Sequence, residues 1–308
     1  MRSKMHILLG VVAAFVLMLG ANLNNYAIAE DQEDKKVGLT VSPSIDMMGD
    51  LKPGETYERS ITAENPSDET IAFKVLVSSF WIEGDDYKIK WGVSESQHGK
   101  IAEWTDIDQT KVYEVAAGES YTLDYNLTVP EDQAGGAQHL MVTISMGSNG
   151  EGGFIATEMN LNTLIYATVE GDVEAGAEIV SNAIQGFSFV PSASTNSVVK
   201  NTGNVDLNVK YMIYASSFFS GEQAFMTEED KMLIVDSTRM YEQVWTDAPQ
   251  LGIFNLTQEI TIMGEVHTFT GVVVICPLWL IVALAIAIVM MTVYVIYRYN
   301  FRKKHRRS

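Results

Sequence analysis

Short runs of alternating apolar and polar residues, turn chemistry spaced between them, and the lack of a long 3.6-residue stripe away from the two apolar ends predict an all-β chain. They suggest two Ig-like β-sandwich domains followed by one C-terminal transmembrane helix. At the start, Arg2 and Lys4 precede an apolar run from Ile7 to Ala21, and Ala27-Ile28-Ala29 places small residues before Glu30. A basic start, a short apolar stretch and an A-x-A site read as a signal peptide over 1–29. As a helix, about 15 residues reach only roughly 22 Å, short of the roughly 30 Å hydrocarbon core, which argues against a first anchor.

The strands come next. Ile71, Phe73, Val75 and Val77 share one face, with Lys74 and Ser78 on the other. Tyr121, Leu123, Tyr125, Leu127 and Val129 alternate with polar residues until Pro130, and Leu140, Val142, Ile144 and Met146 repeat the pattern. Later, Val205, Leu207, Val209, Tyr211 and Ile213 alternate, as do Leu256, Ile260 and Ile262. Glu228–Leu233 reads as one helical turn at most. Lys52-Pro53-Gly54-Glu55 and Ala117-Gly118-Glu119 are tight turns, and Asn65-Pro66-Ser67-Asp68 and Asn201-Thr202-Gly203-Asn204 join strands. The last two, each with the strand that follows, echo one another 136 residues apart, which suggests one hairpin used twice. Leu164–Val169 closes the first domain, with Gly147–Gly153 as a long hairpin loop before it. The domains then run over 30–173 and 174–271.

At the C-terminal end, Val272–Tyr297 contains no charge over 26 residues, long enough to span a bilayer with some tilt. Trp279, Tyr294 and Tyr297 stand where interfacial aromatics belong. The tail, 298–308, carries six Lys/Arg and no acid, a stop signal that keeps it cytoplasmic and the body outside. The predicted protein is thus a single-pass type I membrane protein.

Charge sharpens this division. All 39 acidic residues lie between the two apolar ends, with 13 basic ones, so the body carries −26 within a chain of −18. Such a body repels nucleic acid and anionic lipid, and no nucleic-acid partner is expected. The single cysteine, Cys276, falls in the membrane run, leaving the body without a disulfide or a cysteine site.

Several motifs coincide in the first domain. They are Thr40-Val41-Ser42-Pro43, Leu51-Lys52-Pro53-Gly54-Glu55-Thr56-Tyr57, Glu64-Asn65-Pro66-Ser67-Asp68, Val129-Pro130 and the Gly135-Gly136-Ala137 turn. Over about Val37–Gly171 the chain resembles the first domain of bacterial WxL-interacting proteins, a DUF916-like family of membrane-anchored surface proteins. The resemblance implies peptidoglycan binding by this domain and partner binding by a second. The second half, with Ser237-Thr238-Arg239, Trp245 and Leu251-Gly252, resembles that second domain only loosely. No individual ligand-binding residue carries over.

Catalytic chemistry is sparse. The body's three histidines, His98, His139 and His267, lie in different segments and lack zinc-site spacing. No phosphate loop is present, since Gly147–Gly153 lacks both the G-x-G-x-x-G frame and a P-loop lysine. Asp85-Asp86, Asp106/Asp108 and Glu228-Glu229-Asp230 offer carboxylates of the kind Ca²⁺ takes, but fit no EF-hand frame and read as solvated acidic surface. Trp81, Trp91 and Trp104 with Tyr87 and Tyr113 suit either a sugar platform or a sandwich core, with Trp91 the one expected outside. Asn126-Leu127-Thr128 and Asn255-Leu256-Thr257 match the glycosylation sequon without consequence in a bacterium. No catalytic residue, metal or cofactor is therefore expected. The predicted role is non-catalytic binding or adhesion at the cell surface, toward a cell-wall polymer or a surface protein. The alternatives are an envelope enzyme or assembly factor with a site assembled in space, and a small receptor subunit.

Overall fold

The computed structural model describes residues 38–94, 96–147 and 159–305, side chains at 297 and 299–305 excepted. The signal-peptide reading of 1–29 lies outside the described residues, as do most of Gly147–Gly153 and the end of the tail.

Among the described residues the first half forms nine strands: β1 (Thr40–Ser42), β2 (Ile45–Leu51), β3 (Thr56–Glu64), β4 (Ile71–Glu83), β5 (Lys88–Gly92), β6 (Val112–Val115), β7 (Ser120–Thr128), β8 (Gly136–Met146) and β9 (Met159–Val169). A small sheet has the order β1-β3-β7; a large one has the order β2-β9-β8-β4-β5, with β6 also on β4. Alternation decides which residues meet. Phe73, Val75, Leu140, Val142, Ile144 and Ile165 of the large sheet pack on Ile61, Leu123, Tyr125 and Leu127 of the small one. Each such side chain contributes about 1.5–3 kcal/mol by leaving water. A short 3₁₀ turn, Ile101–Trp104, drops Ile101 and Trp104 into the same core. β8 and β9 pair antiparallel from Gly136↔Val169 to Met146↔Met159.

The second half repeats the plan with β10 (Ala177–Ile184), β11 (Phe187–Ser188), β12 (Ala193–Asn201), β13 (Leu207–Ser217), β14 (Gln223–Leu233), β15 (Thr238–Trp245), β16 (Gly252–Ile262) and β17 (Glu265–Ile275). Its sheets have the orders β10-β12-β15 and β11-β17-β16-β13-β14. Position by position this is the order of the first half. In each half a short strand pairs parallel with the last one, β2 on β9 and β11 on β17, while the other pairings are antiparallel. Two Ig-like sandwiches result.

The sequence echo has a structural counterpart. Asn65 and Asn201 are both buried where the chain crosses from the small sheet to the large one. Each Nδ2 donates to the carbonyl four residues on, Glu69 at 2.7 Å and Val205 at 2.8 Å. Each Oδ1 accepts the amide two residues on, from Ser67 at 3.1 Å and Gly203 at 3.0 Å.

Two elements differ from the sequence reading. Glu228–Leu233 is extended, not a helical turn: it is the second half of β14, paired with β13 from Leu207↔Leu233 onward. Its acids are held by pairing that local propensity does not reveal. Lys210 meets Glu228 at 2.8 Å, and Glu229 takes Lys231 and the Gln243 amide. The apolar C-terminal run also divides. Val272–Ile275 completes β17, four β-branched residues paired with Gly252–Asn255 of β16, and Val273 and Ile275 are fully buried. Cys276 and Pro277 follow, and α1 spans Leu278–His305. Pro277 lacks a backbone N–H and fits at a helix start. The helix therefore begins six residues later than the predicted 272–297 segment, the second sandwich extends past Gly271, and Cys276 lies between sandwich and helix. Leu278–Ile296 is long and apolar enough to cross a membrane, and none of it is covered by the rest of the chain.

Candidate binding site at the junction of the sandwiches

Residues directly opposite across a pleated sheet share a face. Phe80, Met141, Leu164 and Tyr166 therefore project from the outer face of the first sandwich's large sheet, away from its core. There they pack on Ile234 and Met232 of the second sandwich.

Polar contacts fix the joint. His139, 2% exposed, lies 5.1 Å from the Phe80 ring and 5.6 Å from Tyr166, centroid to centroid. Its Nε2 lies 2.9 and 3.1 Å from the two carboxylate oxygens of Asp206, so that nitrogen carries the proton and donates. Asp206 Oδ1 also accepts the Val235 amide at 2.9 Å. Tyr87, held at φ 57 in the β4–β5 turn, reaches across. Its hydroxyl donates to Met232 O and accepts from the Ile234 amide, both at 2.9 Å, in the manner of an extra strand. Arg239 stacks over the Tyr87 ring at 4.0 Å. On the other side, Asn204 O accepts the Ala137 amide at 2.8 Å. Gly136, at φ 136, is required there: a Cβ would stand 2.8 Å from that carbonyl.

Beside the joint lies a cavity of about 270 Å³, lined by Phe80, Trp81, Ile82, Ser94, Ser96, His98, His139, Val235 and Asp236. Its wall at 96–100 is held from below. Buried Gln138 donates to Gln97 O at 2.7 Å and accepts the Lys100 amide at 3.2 Å, and Ser79 Oγ donates to Gly99 O at 2.5 Å. His98 donates from Nδ1 to Ala137 O at 2.9 Å. One flank of the cavity is the edge strand β5, where Trp91 stands 62% exposed opposite Phe80, and Ile89 opposite Ile82. Leu76 continues the same outer face and is exposed. From Lys74 to Ile82 of β4, and on β5, β8 and β9, no outer-face position carries a carboxylate, although the body is acidic throughout.

The residues singled out in the sequence therefore separate. Trp104 and Tyr113 are core; Trp91 is outside, as expected; Trp81 rims the cavity; Tyr87 is neither platform nor core but a bolt between sandwiches. His98 and His139, forty-one residues apart, face one cavity, whereas His267 is exposed on β17. Among the described residues no group of three or more His, Cys, Asp or Glu is placed to hold a metal ion. Asp106 accepts the Asn126 amide at 2.7 Å and its side chain at 2.8 Å, contacts that hold its carboxyl below the usual range, and Asp108 binds Thr110 with the same effect. Asp206, Ile234 and Arg239, which build the joint, carry no sequence signal beyond their place in and beside turns.

Burial pushes the hydroxyl of Tyr166 in this joint up to about 12, and that of Tyr125 in the first core likewise to about 12. An unfolded tyrosine ionises near 10. The raised groups stabilise the fold fully below about pH 10, and the contribution is lost between about 10 and 12, where only the unfolded chain has released the proton. Denaturant midpoints should hold level to about pH 9.5 and fall steeply above 10. Tyr125 and Tyr166 should be among the late-titrating tyrosines seen by absorbance at about 295 nm, a group to which burial also adds Tyr87, Tyr113, Tyr211 and Tyr241.

No family model matches the chain, and no curated protein matches it. Solved structures share the general sandwich architecture. A chaperone–tip adhesin complex of CFA/I fimbriae is 13% identical, with 76% of this chain and 99% of that one covered at a TM-score of 0.40. The CsuC–CsuE chaperone–tip adhesion subunit pre-assembly complex of Acinetobacter baumannii is 12% identical, with 67% and 90% covered at 0.35. The E. coli chaperone DraB is 10% identical, with 76% and 95% covered at 0.32. Likeness of this degree carries no functional content.

Proposed function

We propose that the chain is a non-catalytic surface protein, anchored by α1, that presents the junction cavity and its Trp91 flank to a protein partner. In this reading the acidic body lies outside the cell membrane, the basic tail lies inside, and the first sandwich is of the DUF916-like kind. The observation that carries it is the carboxylate-free apolar strip of Leu76, Ile89 and Trp91 beside a rigidly held cavity. Exposed apolar surface of this sort is characteristic of sites that meet other proteins. An anionic wall polymer suits a −26 body less well. Trp91 alone favours glycan stacking.

The test is a photo-crosslinking residue at position 91 of the full chain in cells, with Val180 of the second sandwich as the control. A protease-sensitive adduct from position 91 and none from 180 is the expected result. An adduct removed by a muramidase transfers the site to wall polymer, and no adduct from position 91 removes the site altogether. With the photo-crosslinking residue moved to the neighbouring outer-face position 89, Trp91→Ser should abolish the adduct while changing the unfolding free energy by less than about 0.5 kcal/mol, as exposed positions do.

A further inference from the structure

The end of the second sandwich from which α1 departs is unlike the rest of the body. Strand register identifies what lies there. Ile275, the last residue of β17, pairs with Gly252 and Ser188, and Ser217 at the end of β13 pairs with Phe254. The segments 185–192, 217–222 and 246–251 are thereby gathered at one end. They expose Phe187, Phe189, Phe218, Phe219 and Leu251, Phe219 to 82%. The first two rings meet at 4.8 Å and the next two at 5.4 Å, so the aromatics form two wedges. Asp247 and Glu222 are the only charges in the three segments, in a body of 39 acids.

The connection to the helix leaves little freedom. Only Cys276 and Pro277 separate Ile275 from Leu278, and the Cys276 amide is tied to Ser188 O at 2.9 Å. Two residues reach at most about 7 Å, comparable with the thickness of one headgroup layer. Once Leu278 and Trp279 enter the bilayer, the loops must stand against its surface. We infer that this end is a membrane-docking surface, in which the Phe187/Phe189 and Phe218/Phe219 wedges insert among the headgroups around the chain's own anchor. Aromatic side chains favour that layer, and charge depletion removes the penalty an acidic surface would meet there. The inference rests on the anchor reading of α1. It makes the second sandwich a fixed post that holds the junction site at constant height and orientation, not a head on a swivel.

The full chain with Cys276→Ser, carrying a single bimane-labelled cysteine at Phe219, Phe189 or, at the far end of the same sandwich, Val266, is placed in phosphatidylcholine vesicles containing a lipid brominated near its carbonyl. Loss of emission at 219 and 189 with none at 266 is expected, and it should persist when the protein is diluted in excess lipid. Equal emission at all three sites, in a chain that carbonate leaves in the membrane, overturns the docking while the anchor stands. Quenching at 219 and 189 lost on dilution makes a second copy the occupant and overturns it too. A chain stripped by carbonate removes the anchor reading itself. Phe218→Ser with Phe219→Ser gives a label-free check: cleavage of the 217–222 loop in vesicles should rise several-fold, whereas in detergent it should match the parent chain.

Discussion

Asn65→Ala is expected to destabilise the first sandwich by about 3 kcal/mol, a large share of the stability of a domain this size. Asn65 is fully buried. Its Nδ2 donates to Glu69 O at 2.7 Å, Val115 O at 3.0 Å and Ala116 O at 3.1 Å, and its Oδ1 accepts the Ser67 hydroxyl at 2.6 Å as well as the Ser67 amide. Its backbone amide donates to Glu119 O, and its carbonyl accepts the Gly118 amide, each at 2.9 Å. One side chain thus laces the β3–β4 crossover to the β6–β7 turn. Alanine strips the Val115 carbonyl and the Ser67 amide of the asparagine partner and leaves Glu69 O and Ala116 O with only the Ser67 hydroxyl and the Glu119 amide, and burying an unsatisfied polar group costs about 1–3 kcal/mol. Asn201 does the same work in the second sandwich, donating to Val205 O and Leu233 O. Asn201→Ala should cost a similar amount, and the two losses should add, because the sites share no partner. Urea unfolding of the full chain in detergent micelles, followed by tryptophan emission, reads this. A midpoint within about 0.5 kcal/mol of the parent would show the amide replaceable by water.

Those two asparagines also mark how far the sequence could be read. The echo between Asn65-x-Ser-Asp and Asn201-x-Gly-Asn was legible because a turn made by one side chain is local chemistry. The strands were legible where one face is core and the other water, as in Tyr121–Val129. Where neither condition held, reading failed. Glu228–Leu233 is a strand because β13 pairs along it, and Lys210 and Gln243 join its own Lys231 in taking up Glu228 and Glu229; neither the pairing nor those two outside partners is contained in six residues. Val272–Ile275 joined the apolar run in the sequence because hydropathy does not separate lipid-facing from core-facing valine; the pairing with β16 does. The candidate site was the least legible of all. Phe80, His139 and Tyr166 lie on the sheet face that alternation assigns to solvent, and only a second domain seated on that face makes them a joint.

Asp206→Ala is the substitution that should undo that joint, at a cost of about 3 kcal/mol. The carboxylate accepts from His139 and from the Val235 amide, one donor from each sandwich's side of the contact, and both donors are turned inward. Without it, the His139 N–H remains enclosed beside Phe80 and Tyr166 with no acceptor. Asp206→Asn keeps one oxygen, which can still accept from both the Val235 amide and His139 but without the negative charge that strengthens those bonds, so it should lose roughly half as much. The loss should appear at the joint before it appears in either core. Amide exchange at Val235 and at Ala137, which donates to Asn204 O, should accelerate strongly in Asp206→Ala, while exchange at Val142 and Ile213 in the two cores should change far less. The same variant should blunt capture at position 91, because the cavity wall shared by His139, Val235 and Asp236 loses its fixed geometry. Unchanged exchange at Val235 and Ala137 would mean that Ile234 and Tyr87 hold the sandwiches together unaided, and that the histidine–aspartate pair is not what sets the angle at which the site is presented.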